Sequence, residues 1–272
     1  MSWFEAVILG LVQGLTEFLP VSSSGHLVLA RTILQTDITY GLAFDAILHF
    51  ATALAVIIYF WEDIYVLLQT LLRKLGRLPV NSGDERLMIA LVVATVPGAL
   101  VGFFLESHLS NLFHSPIVVA LALIMLAVFF IVVEYYQYSR PTIQNIKKVT
   151  KKNAFIIGVS QILSLLPGVS RSGITIGAGM LLGLSRYAAT RFSFLMAIPI
   201  TLGVGAKLTL DTISSNEVIF WPPVLLASVV SFVSAILVVH YFLRFVRRYT
   251  LWPFVWYILM LSTFIILAHL FI

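Results

Sequence analysis

A carboxylate, an amide, three serines and an imidazole fall within one short stretch, Gln13-Gly-Leu-Thr-Glu-Phe-Leu-Pro-Val-Ser-Ser-Ser-Gly-His26. A second stretch, Gln161-Ile-Leu-Ser-Leu-Leu-Pro-Gly-Val-Ser-Arg-Ser-Gly173, repeats the pattern and adds a guanidinium. These residue types suit the binding and attack of a phosphate. Serines preceding a helix cap it, and the freed N–H groups and positive dipole end of the helix attract an anion. Ser22, Ser24 and Gly25 supply that device in the first stretch, and Ser170, Ser172 and Gly173 supply it in the second. Arg171 adds a planar fork suited to bidentate phosphate binding. Gln13 and Glu17, four apart, share one helical face directed at the serine-rich break. Glu17 suits a metal, a proton or an ion pair with Arg171. Ser23 and His26, three apart, are the candidate nucleophiles, and the residue types leave the choice open.

The elements that position these groups lie in a membrane. Of 272 residues, 60% are hydrophobic and only 11% charged, with a mean hydropathy of +1.02, far from the balance of a soluble domain. Segments 40–60, 87–105, 115–137, 188–208, 219–243 and 250–271 read as full spans. The connections 62–86, 138–152 and 244–249 carry clusters of arginine and lysine, balanced by acids in the first, whereas 106–114 and 209–218 carry only Glu106, Asp211 and Glu217 as charges. The positive-inside rule places the first three in the cytoplasm and the other two outside. The net charge of +5 therefore has a topological origin and does not point to nucleic acid. With no cysteine, disulfides and thiolate metal sites are excluded. The N-terminus lacks a basic region and a cleavage site, so no removable signal peptide is expected.

Orientation leaves 3–36 and 153–185 without a single crossing. Each must enter and return on one side, as a pair of short helices broken at its Pro/Ser/Gly centre. Such broken backbone is tolerated only inside protein or along a watery cavity. At an offset of 148 positions, Gln13 meets Gln161, Val21 meets Val169, Ser22 meets Ser170, Ser24 meets Ser172 and Gly25 meets Gly173. Phe44 meets Phe192 and Leu54 meets Leu202, while Pro20 and Pro167 miss by one place. The expected fold is an all-α polytopic membrane protein with inverted-topology repeats, six full spans and two re-entrant hairpins. It forms one membrane domain over 1–272, with repeats at about 1–137 and 153–272 and a basic linker at 138–152. In such repeats the paired broken helices place a binding site near mid-membrane.

The other polar residues have plainer readings. His49 lies on the 40–60 span as a supporting polar group, and His108, His114, His240 and His269 fall near span ends. The tryptophans suit an aromatic belt. Gly173, Gly177, Gly179 and Gly183 suggest close helix packing. With no preceding strand they do not form a dinucleotide-binding or P-loop motif.

The two stretches resemble those of the bacterial undecaprenyl-diphosphate phosphatases, also called bacitracin-resistance proteins. The matching residues are Gln13-Gly-Leu-Thr-Glu17 with Phe-Leu-Pro-Val-Ser-Ser-Ser-Gly-His26, Pro167-Gly-Val-Ser-Arg-Ser-Gly173, and Arg191-Phe-Ser-Phe-Leu-Met-Ala-Ile-Pro199. The resemblance implies a membrane phosphatase that removes the terminal phosphate of undecaprenyl diphosphate and so recycles the cell-wall carrier lipid. It implies a divalent cation, Mg²⁺ or Ca²⁺, held in part by Glu17. It also implies a bacterial inner-membrane location, with the active site opening to the periplasmic or extracellular side. Glu17, Ser23, His26 and Arg171 match the principal functional positions. Gln13 stands where some members have glutamate, which removes one carboxylate from the site. The partners implied are the polyprenyl diphosphate and bilayer lipids, with a homo-oligomer left open. Paired broken repeats equally suit a secondary transporter or flippase of polyprenyl phosphates, although a carrier has little need for a serine–histidine pair beside an arginine.

Overall fold

A computed structural model describes residues 1–36, 41–109, 116–138, 140–166, 168–214 and 221–271. Among them the regular structure is helical. It comprises α1 (Trp3–Thr16), α2 (Ser23–Leu34), α3 (Gly41–Tyr59), α4 (Trp61–Leu75), α5 (Ser82–Leu109), α6 (Pro116–Gln137), α7 (Lys151–Ser160), α8 (Arg171–Leu181), α9 (Arg186–Ser214), α10 (Trp221–Phe245) and α11 (Trp252–Phe271). Five helices, within α5, α6, α9, α10 and α11, are long and apolar enough to cross a membrane. The pair α3 and α4, bent by 80° at Phe60, is apolar enough together to make a sixth candidate. The chain is a multi-span membrane protein.

Two departures from the sequence reading concern connections. The 62–86 connection is expected as a loop, but its first half is the amphipathic α4. Glu62 and Asp63 favour its N-terminal turn, and Arg73 and Lys74 favour its last. The acidic connections are shorter than expected, because α5 continues to Leu109 and α9 to Ser214. Glu217 lies outside the described residues, as does Pro167.

Both expected hairpins are pairs of short helices. In the first, α1 ends at Thr16 and α2 starts at Ser23; in the second, α7 passes through a 3₁₀ turn at Gln161–Leu165 before α8 starts at Arg171. Their construction recurs at the offset of 148. Ser2 caps α1 and Thr150 caps α7. Ser22 caps α2 through the Gly25 N–H, and Ser170 caps α8 through the Gly173 N–H. Gly10 lies against the Ala227 backbone of α10, and Gly158 against the Ala94 backbone of α5. In the middle, α3 packs on α9 and α6 on α11. Small residues at these crossings matter because lipid tails are as apolar as leucine, so association depends on close backbone approach.

A Cβ on Gly158 would stand 2.3 Å from the Ala94 carbonyl oxygen, and backbone cannot swing aside as a side chain can. We expect Gly158→Val to lower stability by roughly 1–3 kcal/mol through overpacking, read as a lower thermal midpoint in detergent. Gly203→Ala, where nothing lies within 4 Å, serves as the control and should leave the midpoint unchanged or slightly raised.

The glycines of the second hairpin divide by role. Gly173 faces Leu126 and Phe130, and Gly177 faces Phe129, so both seat α8 on α6 as expected. Gly183 differs from expectation: it has φ +90 and open space around it, so it serves the turn after α8 and not a packing contact.

Candidate active site

Both helix breaks depend on unusual backbone. Ser22 sits at φ 72, a sparsely populated conformation that costs a non-glycine residue about 1–3 kcal/mol. That turn brings its hydroxyl over the first turn of α2. Gly168, at φ +85, does the corresponding work before α8, and a Cβ there would come within 2.9 Å of Val119 Cα. The two apices meet: Ser172 Oγ donates to the Leu19 carbonyl at 3.0 Å.

Around the meeting point lies a cavity of about 230 Å³ lined by Glu17, Ser23, Ser24, His49, Ser170, Arg171 and Thr201, among others. Glu17 is its hub and is buried. Its Oε1 pairs with Arg171 Nη2 at 2.7 Å. Its Oε2 accepts from Ser23 Oγ at 2.8 Å and from Gln13 Nε2 at 2.9 Å. His49 Nδ1 stands 3.1 Å from the same oxygen and 2.9 Å from Gln13 Nε2. That nitrogen either takes the amide's second hydrogen or donates its own to Glu17, so one proton decides which bond is made. Arg171 also donates from Nη1 to Thr201 Oγ1 on α9. With two of its five N–H groups so used, three remain for a ligand.

The first-turn N–H groups of α2 and α8 belong to Ser23, Ser24, Arg171 and Ser172, and helix geometry leaves them without intrahelical acceptors. The cavity thus combines two helix N-termini, a guanidinium and a hydroxyl held on a carboxylate. Anion binding and transfer of the anion's central atom to the hydroxyl are chemistry that such a set can perform.

Most of the sequence-selected residues gather here, in two roles. Glu17, Ser23, Ser24, Ser170 and Arg171 line the cavity. Gln13, Ser22, Gly25, Ser172 and Gly173 are buried behind it. Of these, Gln13 holds Glu17, while Ser22 with Gly25 and Ser170 with Gly173 form the caps. His26 is placed differently from its expected position beside Ser23 and Glu17. Its Nδ1 lies 2.7 Å from the Ser22 carbonyl, and its Nε2 lies 2.6 Å from the Tyr257 hydroxyl of α11. The two rings stack with centroids 5.7 Å apart. A carbonyl only accepts, so Nδ1 carries the proton, and the Nε2 of the neutral ring takes the Tyr257 O–H. The lone pair a histidine nucleophile would use is engaged away from the cavity.

Three contributors were not singled out as site residues by the sequence. His49 reads from sequence only as a supporting polar group; its position in an apolar span is the available signal. Thr201 follows Pro199 in the motif-like run at 191–199, and Tyr257 lies in an apolar span; neither has a signal distinguishing it from its neighbours.

No group of three His, Cys, Asp or Glu suited to a metal occurs among the described residues. An oxygen-seeking divalent cation is still compatible with the donors present. Among the described residues, Gln13 Oε1 is buried with no hydrogen-bond partner, and Glu17 Oε1 accepts a bond from Arg171 alone. Magnesium commonly needs only one or two protein oxygens when substrate phosphates supply others.

Residues 6–264 match the model of the family described as bacitracin resistance protein BacA. The chain is 40% identical to the undecaprenyl-diphosphatase of Alteromonas mediterranea, over 96% of this chain and 97% of that one. It is 37% identical to the undecaprenyl-diphosphatase of Idiomarina loihiensis, over 96% and 97%. It is 36% identical to that of Pelotomaculum thermopropionicum, over 94% and 93%.

Proposed function

Because the chain belongs to the bacitracin resistance protein BacA family, we propose that it hydrolyses undecaprenyl diphosphate to undecaprenyl phosphate and inorganic phosphate. It does so in the bacterial inner membrane, with the cavity open to the outer side. The observation that carries this reading is the meeting of Ser23, Glu17 and Arg171, from two hairpins far apart in sequence, within 2.8 Å of one another in successive pairs. We read the two halves as inverted repeats, since their caps and close glycine contacts recur at one offset.

In the first step Ser23 Oγ attacks the terminal phosphorus. The Oγ–P bond forms as the bond to the bridging oxygen breaks, and undecaprenyl phosphate leaves. The serine proton passes to Glu17 Oε2, its hydrogen-bond partner. In the second step a water oxygen attacks the phosphoserine phosphorus as the Oγ–P bond breaks, phosphate leaves carrying the water's hydrogens, and Glu17 Oε2 returns its proton to Ser23 Oγ. Phosphoryl transfer passes through a loose transition state with charge on the equatorial oxygens. Arg171 and the N–H groups of the two helix N-termini neutralise that charge. A divalent cation held by Glu17, with Gln13 Oε1 as a second donor, supplies further neutralisation of the phosphate oxygens when bound. His49 and Gln13 hold Glu17 in place. His26 with Tyr257 fixes α2 against α11.

Phosphate release from undecaprenyl diphosphate by purified protein in detergent, with and without chelator, tests the reading. Arg171→Ala should lower kcat/KM by about 10²–10³-fold. Arg171→Lys should recover only part of that, because a point charge lacks the planar fork. Unchanged release by Arg171→Ala would remove the guanidinium from the reaction.

A further inference from the structure

We propose that the basic pocket between α3, α4, α9 and α10 binds a phosphomonoester group, presented by a membrane lipid at the face opposite the mouth of the catalytic cavity. The pocket has a volume of about 390 Å³ and is lined by Arg191, Arg244, Arg247, Tyr59, Tyr187 and His240, with Asp63 as its one carboxylate. Asp63 is fully engaged by Arg191, whose Nη2 lies 2.6 and 2.7 Å from its two oxygens. No carboxylate pairs with Arg244 or Arg247 among the described residues. Arg247 instead lies over the Tyr187 ring at 4.1 Å and donates to its hydroxyl at 2.7 Å. A guanidinium stacked and anchored in this way is held with its remaining N–H groups directed elsewhere.

The charge balance is specific. Three guanidiniums and one carboxylate leave an excess of two positive charges, and a phosphomonoester carries about −1.5 to −2 near neutral pH. A phosphodiester lipid brings only one negative charge. The Tyr187 hydroxyl adds a donor for a group with three terminal oxygens, beside the Tyr59 hydroxyl and the exposed His240 ring, whose Nδ1 lies 3.4 Å from the Tyr59 oxygen.

Depth identifies a lipid as the source. The pocket and the catalytic cavity share the α3–α9 pair. From His49 to Tyr59 is ten residues, and from Thr201 to Arg191 is ten residues, or about 15 Å on each helix at 1.5 Å per residue. That is about half of a 30 Å hydrocarbon layer. A cavity at mid-membrane therefore sets this pocket at headgroup level. The bend into α4 at Phe60, with exposed Trp61 and Tyr65 following, is where an aromatic belt would lie. A neighbouring cavity of about 670 Å³ shares Tyr187 and Arg247 and adds Arg140, which extends the cationic surface along the same face; its Arg186 is paired with Glu134. The lipid product of the proposed reaction belongs to the same chemical class, although the binding claim does not rest on that reaction.

The test is lipid retention. The full chain is loaded with phosphatidic acid, phosphatidylglycerol or phosphatidylcholine, washed in detergent, and the bound lipid is measured by native mass spectrometry. Wild type should retain phosphatidic acid about tenfold over the phosphodiester lipids. The double variant Arg244→Gln/Arg247→Gln should lose that preference while keeping its phosphatase activity. A second measurement needs no variant: phosphatidic acid should protect Arg244 and Arg247 of wild type from phenylglyoxal, read on the modified peptides. If inorganic phosphate alone protects as well as phosphatidic acid, the phosphomonoester chemistry stands and the lipid source falls. Equal retention of phosphatidylglycerol, equal retention by the double variant, or absence of protection by either probe overturns the proposal.

Discussion

Replacing Glu17 by glutamine should lower phosphate release from undecaprenyl diphosphate by about 10³-fold, the middle of the range for loss of a positioned general base. The substitution is nearly isosteric, so its effect comes from charge and hydrogen bonding. Three donors, on Gln13, Ser23 and Arg171, aim at the two carboxylate oxygens. An amide nitrogen in either place would face one of them. The Arg171 pair would also lose its anion, and breaking a buried pair costs about 3–5 kcal/mol. Gln13 and Ser23 soften the opposite change, since in Arg171→Ala the carboxylate keeps hydrogen bonds. Glu17→Gln should therefore be both less active and less stable than wild type. Activity per folded molecule, from kinetics alongside a thermal midpoint in the same detergent, separates the two effects. Release within threefold of wild type would show that Glu17 has no part in the chemistry.

The second large effect belongs to Ser23. Ser23→Ala removes the attacking oxygen while leaving the Ser22 cap of α2 intact, so stability should change little and release should fall by about 10³-fold or more. His26→Ala makes the contrasting case. Its imidazole binds Ser22 and Tyr257, so its removal should loosen α2 against α11 and lower stability along with rate. Tyr257→Phe provides the check, because it deletes only the hydroxyl from that arrangement. Retained turnover in Ser23→Ala together with complete loss in His26→Ala would reverse the two assignments.

Much of this site was legible before the structure. The Gln13–Glu17 spacing put both on one helical face, and the two side chains are bonded. Serine and glycine in a broken apolar stretch implied capped helix starts, and Ser22 and Ser170 are those caps. An ion pair with Arg171 is one of the roles the sequence leaves open to Glu17, and the two side chains form that pair. What stayed hidden depends on helix rotation. The helix α11 is apolar nearly all round and carries no periodic stripe to orient it, so sequence alone could not bring Tyr257 to His26. In α3, Asp45, His49 and Thr52 fall on one helical face, which marks the side His49 turns to the protein but not its partner Glu17. The α4 helix was missed for another reason: its charges balance, and a charge count across 62–86 does not reveal that they flank an apolar face.

The most direct measurement is a rapid acid quench of purified protein with undecaprenyl diphosphate labelled at its terminal phosphorus, followed by peptide mapping. Expected is an acid-stable phosphoserine at Ser23, formed and lost at rates compatible with turnover, and absent from both Ser23→Ala and Glu17→Gln. An acid-labile phosphohistidine at His26, or turnover with no label on the protein at any quench time, would contradict nucleophilic attack by Ser23 from this cavity.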